Sequence, residues 1–117
     1  MATGYGTATL EVAAALTAAG LEVETNVQDL QVPGAWLTPA AIDYDRLGLD
    51  RYTGAWSLYL IANGNQPTDS LDDLSTMAER VRTVFPAFRA EAVTVQLANH
   101  SPDPLPALLI TIEMDVT

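Results

Sequence analysis

Cysteine and lysine are absent from this sequence, and histidine occurs once. Without cysteine there is no disulfide, no thiol nucleophile and no thiolate metal ligand. Without lysine there is no Schiff base, and His100 is the only imidazole that could act as a general base. These absences remove most of the usual groups of nucleophilic and acid–base catalysis. The sequence therefore predicts a protein that binds or assembles and is not an enzyme, with no cofactor and no metal.

Long apolar runs are also missing, since none approaches the roughly 18 residues of a membrane span. At 117 residues the chain has the size of one domain, residues 1–117, with one core. No basic and apolar leader opens the sequence, so we expect a soluble protein made in the cytoplasm. Fifteen acidic residues against five basic ones give a formal net charge of −10, which disfavours nucleic-acid binding.

Two segments show the apolar spacing of a helix. In residues 7–19, Thr7 is the expected N-cap, and the residues before it, including Tyr5, are expected to form a flexible arm. The predicted buried stripe of this helix is Leu10, Ala13, Ala14 and Thr17. The second helix follows residues 68–70 and ends at Pro86. Its predicted stripe is Leu71, Leu74, Met77 or Ala78, Val81, and Val84 or Phe85.

Alternating patterns predict strands in residues 55–62, 92–98 and 107–116, each with one buried face. Residues 21–37 fit two short strands or one irregular ribbon, and residues 38–53 are expected to form a long loop. The predicted fold is α+β: two layers, with a mainly antiparallel sheet and two helices packed on one face. The order is helix, two or three strands, helix, two strands. The expected polar outer face comprises Thr94, Gln96, Thr111, Glu113 and Asp115.

The residues that could form a catalytic or metal-binding site are better explained by structural roles. His100, Ser101 and Asp103 adjoin in a proline-rich loop that lacks a scaffold to orient them, so an exposed loop is favoured over a catalytic triad. Asp69, Asp72 and Asp73 are expected to cap the start of the second helix rather than to hold a metal.

Aromatic and arginine side chains are the better candidates for a partner interface. Trp36 and Tyr52 are flanked by turns, and each fits the core or an interface about equally well. The arginines are scarce donors for carboxylates on a neighbouring subunit. The hypothesised interface residues are Trp36, Arg46, Arg51, Tyr52, His100 and Asp103.

The order of these motifs resembles the tail terminator, or tail completion, proteins of long-tailed phages. The pattern has an alanine-rich first helix and an irregular stretch that ends in Pro-Gly-x-Trp-Leu-x-Pro at residues 33–39. A strand with Gly-Ala-Trp-Ser-Leu-Tyr-Leu follows at 54–60, then a Leu-Asp-Asp-Leu helix start at 71–74. A proline-led closing strand at 105–112 completes the pattern, which covers nearly the whole chain.

The resemblance implies a two-layer subunit of a homo-oligomeric ring, commonly a hexamer, in the virion. Such a ring caps the finished tail tube and presents the surface that the head joins, so its partners are the tail tube protein and head–tail connector proteins. DNA would pass through without specific binding, and Glu113 and Asp115 are the candidates for an acidic lumenal face. Two alternatives stay open: a head–tail connector or minor tail protein, and a small ferredoxin-like ligand-binding or regulatory module.

Overall fold

The computed structural model describes residues 4–31, 33–44, 51–62, 67–86, 88–96 and 104–116. Within these ranges there are two α-helices, α1 (Tyr5–Ala18) and α2 (Pro67–Arg82). The strands are β1 (Val23–Glu24), β2 (Gly34–Asp43), β3 (Tyr52–Ile61), β4 (Ala90–Val95) and β5 (Leu105–Val116). One short 3-10 helix, Val27–Asp29, lies between β1 and β2. This is an α+β fold in the predicted element order.

The strands form one mixed sheet in the order β1-β2-β3-β5-β4. β1 pairs parallel with β2, and the other three pairings are antiparallel, so the expected antiparallel character holds for most of the sheet. β3 is the central strand: it pairs with β5 from Tyr52 to Ile61 and with β2 from Thr53 to Ile61. A strand paired on both sides is the most constrained part of a sheet, and β3 carries the residues around which the core is organised.

The helices cover one face of the sheet, and the core lies between the two layers. β3 supplies Trp56, Leu58 and Leu60, all fully buried, as the alternation predicts. β5 adds Ile110 and Ile112 directly opposite Leu58 and Trp56. Burial of such large apolar side chains contributes roughly 1.5–3 kcal/mol each to stability.

The Trp56 indole is the largest fully buried side chain, and α1 satisfies its polar atom. Trp56 Nε1 donates to Thr9 Oγ1 at 2.8 Å, and Thr9 Oγ1 donates in turn to the Tyr5 carbonyl at 2.7 Å. The Tyr5 ring also packs against the indole, with 5.2 Å between ring centroids. One helical turn of α1 therefore both covers the tryptophan and accepts its N–H.

The first helix differs from the prediction in its start and in its buried stripe. α1 begins at Tyr5 with Gly4 as the N-cap, so Thr7 is not the cap and Tyr5 is not part of a flexible arm. Its buried residues are Ala8, Thr9, Val12, Ala13 and Leu16. Leu10 is 63% exposed, because the helix is turned to bring Thr9 to Trp56. A run rich in alanine has little contrast in hydrophobicity to set this rotation from sequence.

The second helix follows its predicted stripe at Leu74, Met77 and Val81, all buried, whereas Leu71 is 56% exposed. α2 begins at Pro67, and proline suits the first position of a helix because the missing N–H needs no partner there. Asp72 and Asp73 consequently lie beyond the first turn, where they cannot cap its free N–H groups.

The predicted loop at residues 38–53 is wrong at both ends, since β2 continues to Asp43 and β3 starts at Tyr52. The exposed residues from Pro39 to Asp43 belong to the part of β2 that β1 does not pair, and this position explains why they look like a loop in the sequence. Pro39 is accommodated there by a register shift between Pro39 and Ala41, and edge positions and bulges are where a sheet tolerates proline. Residues 45–50 lie outside the described ranges.

Replacing Gly54 with alanine tests how tightly Trp56 is held. A Cβ at position 54 would lie 2.7 Å from Trp56 Cη2, so the indole or the strand must shift. We expect Gly54→Ala to lower the free energy of unfolding by about 1–3 kcal/mol, measured by urea denaturation followed by tryptophan fluorescence.

Gly6→Ala is the matched control for this substitution. A Cβ at Gly6 meets nothing within 4 Å, and alanine favours the helix there. We expect Gly6→Ala to raise stability by roughly 0.5–1 kcal/mol. Equal effects of the two substitutions would show that the space around Trp56 is not limiting.

Candidate interaction surface

The sheet face opposite the helices, called here the open face, is divided into an apolar and a polar end. Strand register sets this division, because residues of alternate parity on β3 and β5 point away from the helices. Going along β3, the outward residues are Thr53, Ala55, Ser57, Tyr59 and Ile61. The polar end lies at the start of β3 and the apolar end at its finish.

The apolar end, called here the apolar patch, is a second hydrophobic cluster separate from the core. Its fully or nearly buried members are Leu30, Ile61, Leu105 and Ala107. Around them lie the half-buried side chains Trp36, Tyr59, Val93 and Val95, and Leu109 faces the same way because it is paired with Tyr59. The Trp36 and Tyr59 rings stack with centroids 5.3 Å apart and an interplanar angle of 22°. The patch is therefore a preformed aromatic and aliphatic surface that water only partly reaches.

The patch corrects the expectation that each strand buries only its helix-facing side. Val93 and Val95 belong to the open face, and Thr94 is paired with Pro106 on the helix side of the sheet. β5 is apolar on both faces along its first half, which sequence alternation alone does not separate from a one-sided strand. The sequence does indicate a second apolar face, because the outward positions of β3 and β5 include four apolar or aromatic residues: Tyr59, Ile61, Leu105 and Leu109.

The polar end of the open face agrees with the prediction for β5. Thr111, Glu113 and Asp115 are exposed and point away from the helices. Thr53 Oγ1 donates to Asp115 Oδ1 at 3.0 Å across the strands. Gln96 follows the last residue of β4 and is not part of this end.

The three hypothesised interface residues that lie in the described ranges, Trp36, Arg51 and Tyr52, are not brought to one place. Trp36 lies in the apolar patch, whereas Arg51 is exposed at the start of β3. Tyr52 is only 5% exposed and belongs to the helix-side core of the subunit. Arg46, His100 and Asp103 lie outside the described residues.

Two clefts lie near the end of α1. One, of about 380 Å³, is lined by Glu22, Glu24 and Asp29 among others. The second, of about 420 Å³, contains Arg80, whose Nη1 donates to the Gly20 carbonyl, just beyond the end of α1, at 2.7 Å. In the described part of the chain, no group of three histidine or acidic side chains is arranged to hold a metal ion. The apolar patch is thus the strongest candidate for a functional surface.

No protein-family model matches the chain, and no curated protein sequence matches it. No helix in the described ranges is long and apolar enough to cross a membrane.

The titration of Tyr52 provides a test of the core beneath β3. Burial raises the pKa of its hydroxyl above the ordinary value of 10.0, and the nearby Tyr44, Tyr5 and Glu11 raise the pKa further. Because the folded state disfavours the phenolate, the resulting stability is complete below about pH 10 and is lost as the pH rises towards the folded pKa. We expect the free energy of unfolding to fall less steeply between about pH 9 and 11 in Tyr52→Phe than in the unchanged protein.

Urea titrations at several pH values measure this difference. Both proteins are first compared at pH 7, so that any pH-independent effect of losing the hydroxyl is subtracted. Parallel pH profiles would show that the Tyr52 hydroxyl has the same pKa in the folded and unfolded states.

Proposed function

We propose that this protein is a structural subunit of a phage tail terminator ring, which ends growth of the tail tube and provides the surface for head joining. The observation that supports this proposal most strongly is that the open face is divided into an apolar end and a polar, acidic end. A partly exposed aromatic and aliphatic patch suits burial against a neighbouring subunit, and an acidic end on the same face suits an aqueous passage.

The element order supports this proposal. The tail terminator resemblance requires an alanine-rich first helix, an irregular stretch, a Trp-bearing strand, a second helix and a closing proline-led strand. The fold has α1, the segment through Val27–Asp29, β3 with Trp56, α2 and β5 in that order. The ferredoxin-like alternative needs a β-α-β-β-α-β order, whereas the described elements run α-β-β-β-α-β-β.

The net charge of the chain supports assembly through the apolar patch and an acidic lumen. Subunits with a net charge of −10 repel one another, so a ring needs apolar burial to offset the repulsion. The apolar patch offers such burial, with the stacked Trp36 and Tyr59 as anchors of the type that dominate interfaces. Glu113 and Asp115 would then face the lumen and keep DNA from adhering.

The oligomeric state tests the role of the patch. We expect light scattering to show a ring-sized oligomer that is strengthened by raising salt to about 1 M, because salt screens the acidic repulsion. Trp36→Gln removes an aromatic anchor and should weaken the oligomer at least about tenfold in dissociation constant. Circular dichroism and thermal melting establish that the variant is folded.

Leu10→Gln is the matched control, since Leu10 is an exposed apolar residue on the helix layer. It should leave the oligomer unchanged. A monomer at every salt concentration, both alone and with tail tubes present, would contradict the proposal. An oligomer that Trp36→Gln does not weaken would contradict the assignment of the patch.

The acidic end is tested by DNA capture. Reversing charge with Glu113→Arg and Asp115→Arg together should make the assembled ring retain short duplex DNA that the unchanged ring does not bind. Fluorescence anisotropy of labelled duplex measures the retention. The matched control reverses Asp72 and Glu79, two exposed carboxylates of α2, and should capture less DNA. Equal capture by both pairs, or a ring structure with Glu113 on its outside, would refute the lumenal assignment.

A further inference from the structure

The two edges of the sheet differ in how regular their backbones are. On the β2 side, β1 pairs with Ala35 and Trp36, and Pro39 has no N–H to offer. The Tyr5 hydroxyl then occupies the bulge: it accepts from the Ala40 N–H at 3.2 Å and lies 3.2 Å from the Ala41 carbonyl oxygen. The same hydroxyl donates to the Ala55 carbonyl of β3. The Tyr5 hydroxyl thus fills the bulge between β2 and β3. The β2 edge is interrupted by the short β1, by Pro39 and by this bulge, so it does not present a regular row of backbone groups.

The β4 edge has none of these protections in the described residues. β4 is the last strand of the sheet and pairs with β5 on one side through all six residues, Ala90–Val95. It contains no proline, and its register with β5 has no shift. A regular edge strand presents a row of backbone donors and acceptors that can pair with another strand, and proteins usually block such edges.

Charge identifies the occupant that fits this edge. Arg89 precedes β4 and Glu91 lies within it, two residues on and therefore on the same side of the extended chain. Arg89 Nε lies 3.5 Å from Glu91 Oε1, and the two side chains are 86% and 54% exposed. Residues 88–96 thus carry one positive and one negative charge in a chain of net charge −10. This stretch is where a second acidic copy can approach without net repulsion.

We propose that the β4 edge pairs with the β4 edge of a second copy of this chain, antiparallel and about a twofold axis at Ala90. In that register Arg89 lies opposite Glu91 of the second copy and Glu91 lies opposite its Arg89, so two cross-strand ion pairs form. The sequence is self-complementary there, as an isologous contact requires. The bulge and Pro39 make the β2 edge irregular, which makes head-to-tail pairing of β4 with β2 unfavourable.

This contact is independent of the apolar patch and of the tail terminator proposal. It uses backbone groups at the edge of the sheet, whereas the ring contact uses side chains on its open face. The pairing is short, so the resulting dimer is expected to be weak and to depend on concentration.

A charge-swap experiment tests the register. Masses are measured by sedimentation equilibrium over about 1 μM to 1 mM for the unchanged protein, Glu91→Arg, Arg89→Glu and the double swap. Each single change places like charges opposite one another and should weaken the dimer about tenfold, whereas the double swap should restore it. Mixing the two single variants should yield a heterodimer, because all cross-strand charges are then complementary.

The matched control swaps Glu79 and Arg82, an exposed ion pair of α2 with 3.1 Å between Arg82 Nη1 and Glu79 Oε1. Its single and double changes should leave the dimer unaffected. Hydrogen exchange supplies an independent readout, since amides within residues 88–92, the stretch that this register pairs, should exchange more slowly as the dimer forms.

Three outcomes would overturn the proposal. The first is an unchanged protein that is monomeric throughout with no concentration-dependent protection of β4. The second is a dimer that the charge variants leave unaffected. The third is protection of β4 only when tail tubes are added, which would assign the edge to a foreign strand. A dimer lost in Trp36→Gln but kept in the Arg89 and Glu91 variants belongs to the second case and would leave the ring contact standing.

Discussion

The buried Trp56 indole is the constraint on which the rest of the structure depends. It is a large apolar side chain at the middle of the central strand, and its N–H must find an acceptor because an unsatisfied buried donor costs about 1–3 kcal/mol. Thr9 supplies that acceptor, and the Tyr5 carbonyl in turn accepts from Thr9. The position and rotation of α1 follow from this chain of hydrogen bonds. The buried indole also requires glycine at position 54, since a larger residue there would occupy the space of the ring.

The same helical turn also determines how one edge of the sheet ends. With α1 held by Trp56, the Tyr5 hydroxyl reaches the bulge of β2 and bonds with its backbone. A core contact and the filling of the β2 bulge are thus two consequences of one turn of helix. The β4 edge lies on the other side of the sheet, and the elements described there do not protect it in this way. Asymmetric edges of this kind direct association to one side of a subunit.

The open face has an apolar end and a polar end along the same pair of strands, β3 and β5. At the end near Ile61 the outward side chains are apolar and partly buried, whereas at the end near Thr53 they are polar and exposed. An acidic protein that assembles needs a place where apolar burial outweighs charge repulsion, and this division confines that place to half of one face. The proposed ring and the proposed edge pairing would use different parts of the sheet, so a subunit could make both contacts.

The sequence by itself determined the fold class, the element order and the helix-facing side chains of β3 and β5. These follow from local periodicity, which is strong where residues such as Trp56, Leu58 and Ile110 alternate with polar ones. For the candidate surface it indicated Trp36 and the exposed carboxylates of β5. Only the tertiary structure decided the rotation of α1, the length of β2, the burial of Tyr52 and the apolar open face formed by β4 and β5. Those features depend on which strands are neighbours and on which side chain must reach a distant hydrogen-bond partner, and neither is encoded in a window of adjacent residues.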